Sequence, residues 1–152
     1  VLLDEVLVQA SLRLSKMTQG RYQLLRKEKR AKGNKASGLE LEIADSHTGK
    51  PRPVSTLSGG ESFKASLALA LGLSDVVQSR AGGIQLDTLF IDEGFGSLDA
   101  ESLNSAIQTM IELRNTGRIV GIISHVQALK EQIETRIDVQ VALSGSRIQV
   151  VA

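Results

Sequence analysis

The stretch Asp87–Glu93, with the sequence DTLFIDE, indicates the fold of this 152-residue chain. It is a short apolar run that ends in two adjacent carboxylates, which is typical of a buried strand with a site at its C-terminal end. A second apolar run, RIVGIIS at Arg118–Ser124, follows a predicted helix over Ala100–Asn115, and a further helix is predicted over Gln127–Glu134. This alternation predicts an α/β fold with a parallel sheet and crossover helices.

The first residues of the chain predict a helix that ends at Gly20. Its apolar positions recur at steps of four and three residues, the spacing of a coiled-coil seam; they are Leu3, Leu7, Ala10, Leu14 and Met17. Residues 1–19 are therefore predicted to be either the base of a coiled coil or an amphipathic helix packed on the domain. Residues 20–152 form the predicted domain.

Two β-hairpins are expected to flank the α/β part. Tyr22–Leu25 would pair with the alternating strand of GLELEIAD, and IDVQVAL would pair with RIQVVA at the other end of the chain. Asp45–Pro53 is interpreted as a turn-rich connector because it holds both prolines. A further helix is predicted over Ser62–Gln78.

Composition excludes several classes of protein. The net charge is +1, apolar residues make up 41% and charged residues 23%, which is ordinary for a globular protein. The absence of cysteine excludes a disulfide scaffold and a thiolate metal site. No apolar run is long enough for a membrane span and no signal-peptide pattern is present, so we expect a cytoplasmic protein with no membrane partner.

One segment is locally basic, with seven basic residues and one acid between Arg21 and Lys35. Such a segment can contact the phosphates of double-stranded DNA, or it can simply be a solvated loop. The candidate DNA-binding residues are Arg26, Lys27, Lys29, Arg30 and Lys32.

The motif LSGGE immediately precedes the helix predicted over Ser62–Gln78. Ser58 and Glu61 have the spacing of a capping box, which accounts for those two residues structurally. It does not account for Gly59 and Gly60. Glycines at a helix N-terminus leave backbone N–H groups accessible, which suits an anion such as phosphate.

The carboxylates at the strand end suggest nucleotide chemistry. Asp92 would hold Mg²⁺ and Glu93 would polarise an attacking water, although the pair could also be a plain strand end. If the two strands are parallel neighbours, His125 faces the same crevice, and Asp99 is a good N-cap for the next helix. A structural histidine is the alternative. The chain has no GxxxxGK[ST] phosphate-binding loop.

In this order, LSGGE, LFIDEGFGSLD and SHV resemble the signature motif, Walker B motif, D-loop and switch histidine of ABC-type ATPases. Four further features are similar to the C-terminal head segment of the SbcC family. They are Glu61 after the glycines, DEGFGSLD after the strand, the coiled-coil seam, and the GRY before the signature motif. Its relatives are the DNA-break-repair ATPases and the structural-maintenance-of-chromosomes (SMC) proteins. The resemblance implies the C-terminal lobe of an ABC-type P-loop NTPase head, with residues 1–19 as the coiled-coil base.

That resemblance also implies roles for individual residues. Four residues would contact ATP held by an opposite head: Ser58, Gly59, Gly60 and Glu61. Asp92 would serve Mg²⁺, Glu93 and His125 would be catalytic, and Asp99 would contribute to the dimer contact.

The partners implied by the resemblance are an N-terminal Walker A segment of the same protein, a second head, an SbcD-like nuclease and DNA. A nucleoid-associated ATPase that regulates DNA cleavage is thus expected, with the isolated chain inactive. The alternatives are a transporter or other SMC-like nucleotide-binding domain, and a non-hydrolysing DNA-binding module.

Overall fold

The computed structural model describes residues 2–27, 40–82, 87–143 and 145–152. Over these residues the chain folds as a mixed α/β structure, as the sequence predicts. In chain order its helices and strands are α1 (Leu2–Met17), β1 (Tyr22–Arg26), β2 (Leu41–Asp45), β3 (Lys50–Pro53), α2 (Gly59–Arg80), β4 (Thr88–Asp92), α3 (Ala100–Asn115), β5 (Ile119–Ile123), α4 (Gln127–Gln132), β6 (Arg136–Ala142) and β7 (Gly145–Val151). Within the described residues, no helix combines the length and the apolar character that a membrane span needs.

Strands β4 and β5 form a parallel pair joined through α3, and they place the site. Asp92 at the end of β4 lies opposite Ile123 at the end of β5, so the two carboxyl ends are level. Helices α2 and α3 cover one face of the pair. That core contains the buried Leu71, Met110 and Leu113, against which half-buried strand residues pack.

The other face of the parallel pair is exposed, which corrects the prediction of buried strands. Phe90 is 70% exposed and Ile119 65% exposed, and the exposed Ile123 lies on the same pair. Alternate side chains of a strand point to opposite faces. Since the described helices pack only on the Leu89 and Ile91 side, the remaining apolar side chains have no cover in the described part of the chain.

Helix α1 packs along α2 and uses the predicted seam to do so. Leu7, Ala10 and Leu14 are buried, and Leu3 and Met17 pack against the same core. This shows that the seam is an internal packing surface of the domain.

The prolines lie in a strand rather than in a simple connector, so the predicted extent of that connector is wrong. Strand β3 pairs with β2, with Pro51 opposite Ala44 and Pro53 opposite Glu42. Proline has no backbone N–H to donate to a neighbouring strand, but an edge strand, which is paired on one side only, tolerates it. The three strands run in the order β1-β2-β3 and form an antiparallel unit called the hairpin sheet below.

The predicted C-terminal hairpin is confirmed as β6 paired antiparallel with β7. Helix α2 begins at Gly59, three residues before the predicted start, because both glycines adopt the helix. Helix α3 has the predicted bounds.

Candidate functional site

The first turn of α2 has the geometry that its sequence predicts. Ser58 is the N-cap, and its Oγ accepts a hydrogen bond from the Glu61 N–H at 3.3 Å. In return, the Ser58 N–H donates to Glu61 Oε2 at 2.9 Å, which completes the capping box. Ser58 and Gly59 are exposed, so the N-terminal turn of this 22-residue helix is open to a ligand.

The structure also gives an internal reason for one of the two glycines. A Cβ on Gly60 would lie 2.6 Å from Ser102 Oγ and 3.1 Å from its Cβ, so a side chain there would require Ser102, in the first turn of α3, to shift. A Cβ on Gly59 would be in ordinary contact, 3.4 Å from the Ser97 carbonyl oxygen. Packing thus explains Gly60, whereas space alone does not exclude a side chain at Gly59.

The chain turns sharply where β4 ends. Asp92 is exposed at the end of the strand. Glu93 has φ of 60° and Gly94 has φ of 96°, and left-handed backbone is unusual for a residue other than glycine. The Glu93 N–H donates to the carbonyl of Ile123 at 2.9 Å, which ties the turn to the end of β5. Unusual backbone of this kind is concentrated at functional sites.

His125 lies where the parallel arrangement predicts it. Its Nδ1 is 3.2 Å from the Glu93 carboxylate, and both side chains are exposed. Because a carboxylate only accepts hydrogen bonds, Nδ1 is the donor of this pair, which leaves Nε2 for a second partner. The structure therefore brings two of the predicted catalytic residues together at one edge of the parallel pair.

Asp99 is the N-cap of α3, as predicted. Its Oδ1 accepts a hydrogen bond from the Ser102 N–H at 2.7 Å. Hydrogen bonds from Ser102 lower the pKa of this carboxyl group. Since Ser102 also faces Gly60, the N-termini of α2 and α3 meet at this point.

An aromatic pair joins α2 to the turn after β4. The Phe63 and Phe95 rings lie 4.9 Å apart and tilted by 54°, and Phe95 is fully buried. Phe63 also lies against Gly94, where a Cβ would be 3.0 Å from its ring. The N-terminal part of α2 and the turn after β4 are therefore packed against the same aromatic pair. The sequence did not predict this contact, because neither phenylalanine belongs to a motif or to a periodic apolar pattern.

A second group that sequence reasoning missed surrounds Tyr22 and is called the tyrosine cluster; its members are Tyr22, Arg21, Asp45, Arg52 and Glu61. The Tyr22 hydroxyl donates to Glu61 Oε1 at 2.6 Å. Burial raises the pKa of Tyr22 to about 12, and the Glu61 carboxylate adds to that shift. Both guanidinium groups lie over the tyrosine ring, at 4.6 Å and 5.7 Å from its centroid. The sequence signal for this cluster is only that the one tyrosine of the chain directly follows Arg21.

The charges of the tyrosine cluster are balanced. Asp45 is the one buried charged residue among those described, and Arg21 donates to it at 3.3 and 3.4 Å. Burial opposes ionisation of Asp45, but hydrogen bonds from Arg21 and the His47 N–H hold its pKa below the usual range. Burial likewise opposes ionisation of Glu61, whose pKa is lowered by hydrogen bonds from Tyr22 and Ser58.

The basic segment is only partly described. Lys29, Arg30 and Lys32 lie outside the described residues. Arg26 is 3.4 Å from Asp4, and Lys27 is 2.6 Å from Glu40. Both pairs are at the surface, where an ion pair exchanges easily for a phosphate.

The residues present fit a nucleotide with its metal ion. Mg²⁺ takes one or two carboxylates together with waters and phosphate oxygens, so a single exposed carboxylate at Asp92 is sufficient protein ligation. In the described ranges, no three acidic, histidine or cysteine side chains converge as a metal site, so a metal would need ligands from the nucleotide. The open turn at Ser58 suits a phosphate group.

Comparison with known proteins gives close relatives. The SbcC component of the nuclease SbcCD from Vibrio cholerae serotype O1 is 66% identical over 151 residues, covering 99% of this chain and 15% of that protein. The protein of the same name from Staphylococcus aureus strain JH9 is 53% identical over 138 residues, covering 91% of this chain and 14% of that protein. The chain therefore spans about one seventh of the length of the curated relatives it matches.

A solved structure from work on ATP-driven dimerization and DNA-stimulated activation of SMC ATPases has a TM-score of 0.72 with this chain. It is 14% identical, and the match covers 98% of this chain and 84% of that one. This likeness confirms the predicted head fold. Residues 34–112, just over half of the chain, match the family described as SbcC/RAD50-like, Walker B motif. The motifs, the fold and the relatives agree, and the chain belongs to the SbcC/RAD50-like family.

Proposed function

We propose that this chain is the C-terminal head segment of an ATPase that dimerises on ATP and hydrolyses it during DNA repair. The observation that carries the proposal is the pairing of Glu93 with His125 at 3.2 Å beside the exposed carboxylate of Asp92. A parallel sheet presents such an edge to ligands. The family of the chain and the ATPases of its structural neighbour support the same conclusion.

In this proposal the residues at the edge act on one nucleotide. Asp92 would hold Mg²⁺, which supplies charge neutralisation of the phosphates. Glu93 would orient a water and accept its proton as that water attacks the γ-phosphorus and the bond to the bridging oxygen breaks, releasing ADP and phosphate. His125 would donate to Glu93 through Nδ1 and to the γ-phosphate through Nε2, an arrangement that needs a proton on both ring nitrogens.

The turn Ser58–Gly60, called the signature turn from here on, would act on a second nucleotide. The backbone N–H groups of Gly59 and Gly60 would bind the γ-phosphate of ATP held by an opposite head, while Glu61 keeps the turn in shape by accepting the Ser58 N–H. Asp99 would lie in the same contact between heads. Two heads would thus close over the nucleotides and separate after hydrolysis.

An N-terminal segment with a Walker A loop would complete each head. The exposed apolar face of the parallel pair supports this proposal, because parallel strands are normally covered on both faces. The isolated chain should then bind ATP weakly and not turn it over. Residues 1–19 would be the base of the coiled coil that joins the two segments.

The partner outside the head would be an SbcD-like nuclease, as the naming of the relatives after the nuclease SbcCD suggests. Head dimerisation would then alter the access of double-stranded DNA to the nuclease. The basic segment that begins at Arg26 and Lys27 is a candidate DNA contact, since both of these residues lie at the surface in exposed ion pairs.

The test uses the full-length protein and the change Glu93→Gln. Glutamine cannot accept the proton from water, but it keeps the size of the side chain. We expect ATP turnover to fall by about 10²-fold or more and the protein to accumulate as an ATP-bound head dimer in analytical ultracentrifugation.

The matched control is Glu101→Gln, an exposed carboxylate in the first turn of α3. It should leave turnover and dimerisation unchanged. A Glu93→Gln protein that stays unassociated with unchanged turnover would overturn the proposed function.

A further inference from the structure

Glu61 divides its two carboxylate oxygens between two parts of the fold. Oε2 accepts the Ser58 N–H at 2.9 Å and so holds the N-cap of α2. Oε1 accepts the Tyr22 hydroxyl at 2.6 Å, and Tyr22 belongs to strand β1 of the hairpin sheet. The orientation of this carboxylate is therefore set by one donor on each side.

Tyr22 is itself held in place, so its hydroxyl offers the Glu61 carboxylate a fixed donor. It is only 2% exposed, and the guanidinium groups of Arg21 and Arg52 both lie against its ring. Arg52 also points a donor at the tyrosine oxygen at 3.4 Å, and it is itself held by the carbonyl and hydroxyl of Thr56 at 2.8 and 2.6 Å. The phenol consequently has little freedom to follow Glu61 if the helix end moves.

The same arginines compete for Glu61. Arg21 Nη1 is 3.8 Å from Oε1, and Arg52 Nη2 is 3.9 Å from Oε2. These contacts are too long for good hydrogen bonds, so the carboxylate faces Tyr22 and Ser58 instead. Without the tyrosine hydroxyl, the carboxylate gains most by turning toward a guanidinium, and that rotation draws Oε2 away from the Ser58 N–H.

We propose that Tyr22 is a positioning residue for the signature turn, acting through Glu61 on the cap at Ser58. The inference rests on the proposed function, in which the signature turn binds the nucleotide of an opposite head. Tyr22 touches neither the nucleotide nor the reacting atoms. Its hydroxyl keeps Glu61 bonded to the Ser58 N–H, and so keeps the N–H groups of Gly59 and Gly60 in the geometry that receives a phosphate before the heads close.

The test is the change Tyr22→Phe in the full-length protein that also carries Glu93→Gln. Phenylalanine keeps the ring against the two arginines and removes only the hydroxyl. We expect the ATP concentration for half-maximal head dimerisation to rise about tenfold, the order expected for a hydrogen bond to a charged group. Binding of ATP to undimerised heads, measured at protein concentrations below dimerisation, should change less than about twofold, because the signature turn is not part of that site.

The matched control is Ser11→Ala. The Ser11 hydroxyl holds the same strand, donating to the Leu24 carbonyl at 2.9 Å and accepting from its N–H at 3.0 Å, but it is bonded to β1 and not to the cap of α2. We expect this control to leave half-maximal ATP unchanged. If it raises half-maximal ATP as much as Tyr22→Phe does, Tyr22 acts only by stabilising the hairpin sheet and the inference is wrong.

A second variant separates the hydrogen bond from any folding defect. Glu61→Gln keeps the side-chain shape but has one acceptor oxygen in place of two, so it cannot accept from Ser58 and Tyr22 through separate oxygens. A contact of its amide N–H₂ with the tyrosine oxygen would be an uncharged and weaker hydrogen bond. If both changes act on one hydrogen bond, Tyr22→Phe should add little to the effect of Glu61→Gln. Full additivity of the two effects would overturn the inference.

The two proposals fail in different ways. If Glu93→Gln with the native tyrosine forms no ATP-dependent dimer, the proposed function is wrong. If that protein dimerises and Tyr22→Phe leaves its half-maximal ATP unchanged, the proposed function stands and the positioning role is wrong.

Discussion

Glu93 and Gly94 are consecutive residues with positive φ at the end of β4. These two left-handed residues turn the chain sharply. The turn leaves the Glu93 carboxylate beside His125, while the Glu93 N–H stays bonded to the carbonyl of Ile123. Glycine takes such a conformation without strain, whereas a side chain at Gly94 also meets the Phe63 ring. The glycine after the carboxylate pair is thus required by geometry.

A substitution at Gly94 measures that requirement. Gly94→Ala should destabilise the protein by about 1–3 kcal/mol, since left-handed backbone is strained for alanine and Phe63 must move. It should also lower ATP turnover, because Glu93 is displaced with the turn. The measurement is urea-induced unfolding of the full-length protein, followed by a probe attached to the head.

Gly96→Ala is the control for that change. Gly96 belongs to the same loop, but its φ is not positive and no atom lies within 4 Å of an added Cβ. Its effect should stay within about 0.5 kcal/mol. Equal effects at the two glycines would show that backbone geometry at Gly94 does not position the turn.

At the scale of elements, the contact between α1 and α2 depends on one glycine. A Cβ on Gly72 would lie 2.7 Å from the Ala10 N and 2.9 Å from the Val6 carbonyl oxygen. These are backbone atoms, which cannot rotate away as a side chain can. The helices therefore approach more closely than any residue with a side chain would allow at this position.

Gly72→Ala should separate the two helices. Overpacking of this kind costs about 1–3 kcal/mol, whereas the gain in helix propensity from glycine to alanine returns at most about 1 kcal/mol. We expect net destabilisation, measured by unfolding of the full-length protein. Ser66→Ala on the exposed side of α2 is the control and should change stability by less than about 0.5 kcal/mol. A Gly72→Ala protein more stable than the native one would show that the helices adjust freely.

Most elements could be predicted from sequence because their signals are local. The spacing of apolar residues predicts α1 and α3, and Ser58 with Glu61 predicts the cap of α2. Strand β3 was missed because prolines predict turns wherever the pairing partner is unknown. Whether a strand lies at an edge is a property of the sheet, so local sequence cannot show it.

At the scale of the whole molecule, the parallel pair has one covered face and one exposed apolar face. Phe90 lies across Gly121 on the exposed face, where a Cβ on that glycine would clash with its ring. The proposed N-terminal segment would cover this face. Burial of two or three such side chains contributes about 1.5–3 kcal/mol each, which is substantial for association of two segments.

Phe90→Asp tests whether this face holds the N-terminal segment. A charge at the centre of the contact should abolish co-purification of the separately expressed N-terminal segment with this chain, because the carboxylate would be buried without a partner. The control is Ile111→Asp, which adds the same charge on the exposed side of α3. If the segments still co-purify with Phe90→Asp, the exposed face is not their contact.

The sequence by itself determined the order of the elements apart from β3, the capping of α2 and α3, and the types of residue at the candidate site. These follow from short-range patterns and from motif spacing. Only the tertiary structure decided that Glu93 meets His125, that α2 and α3 meet at Gly60 and Ser102, and that Tyr22 holds Glu61. Those contacts join residues far apart in the chain, and their distances depend on how whole elements pack, which no local pattern records.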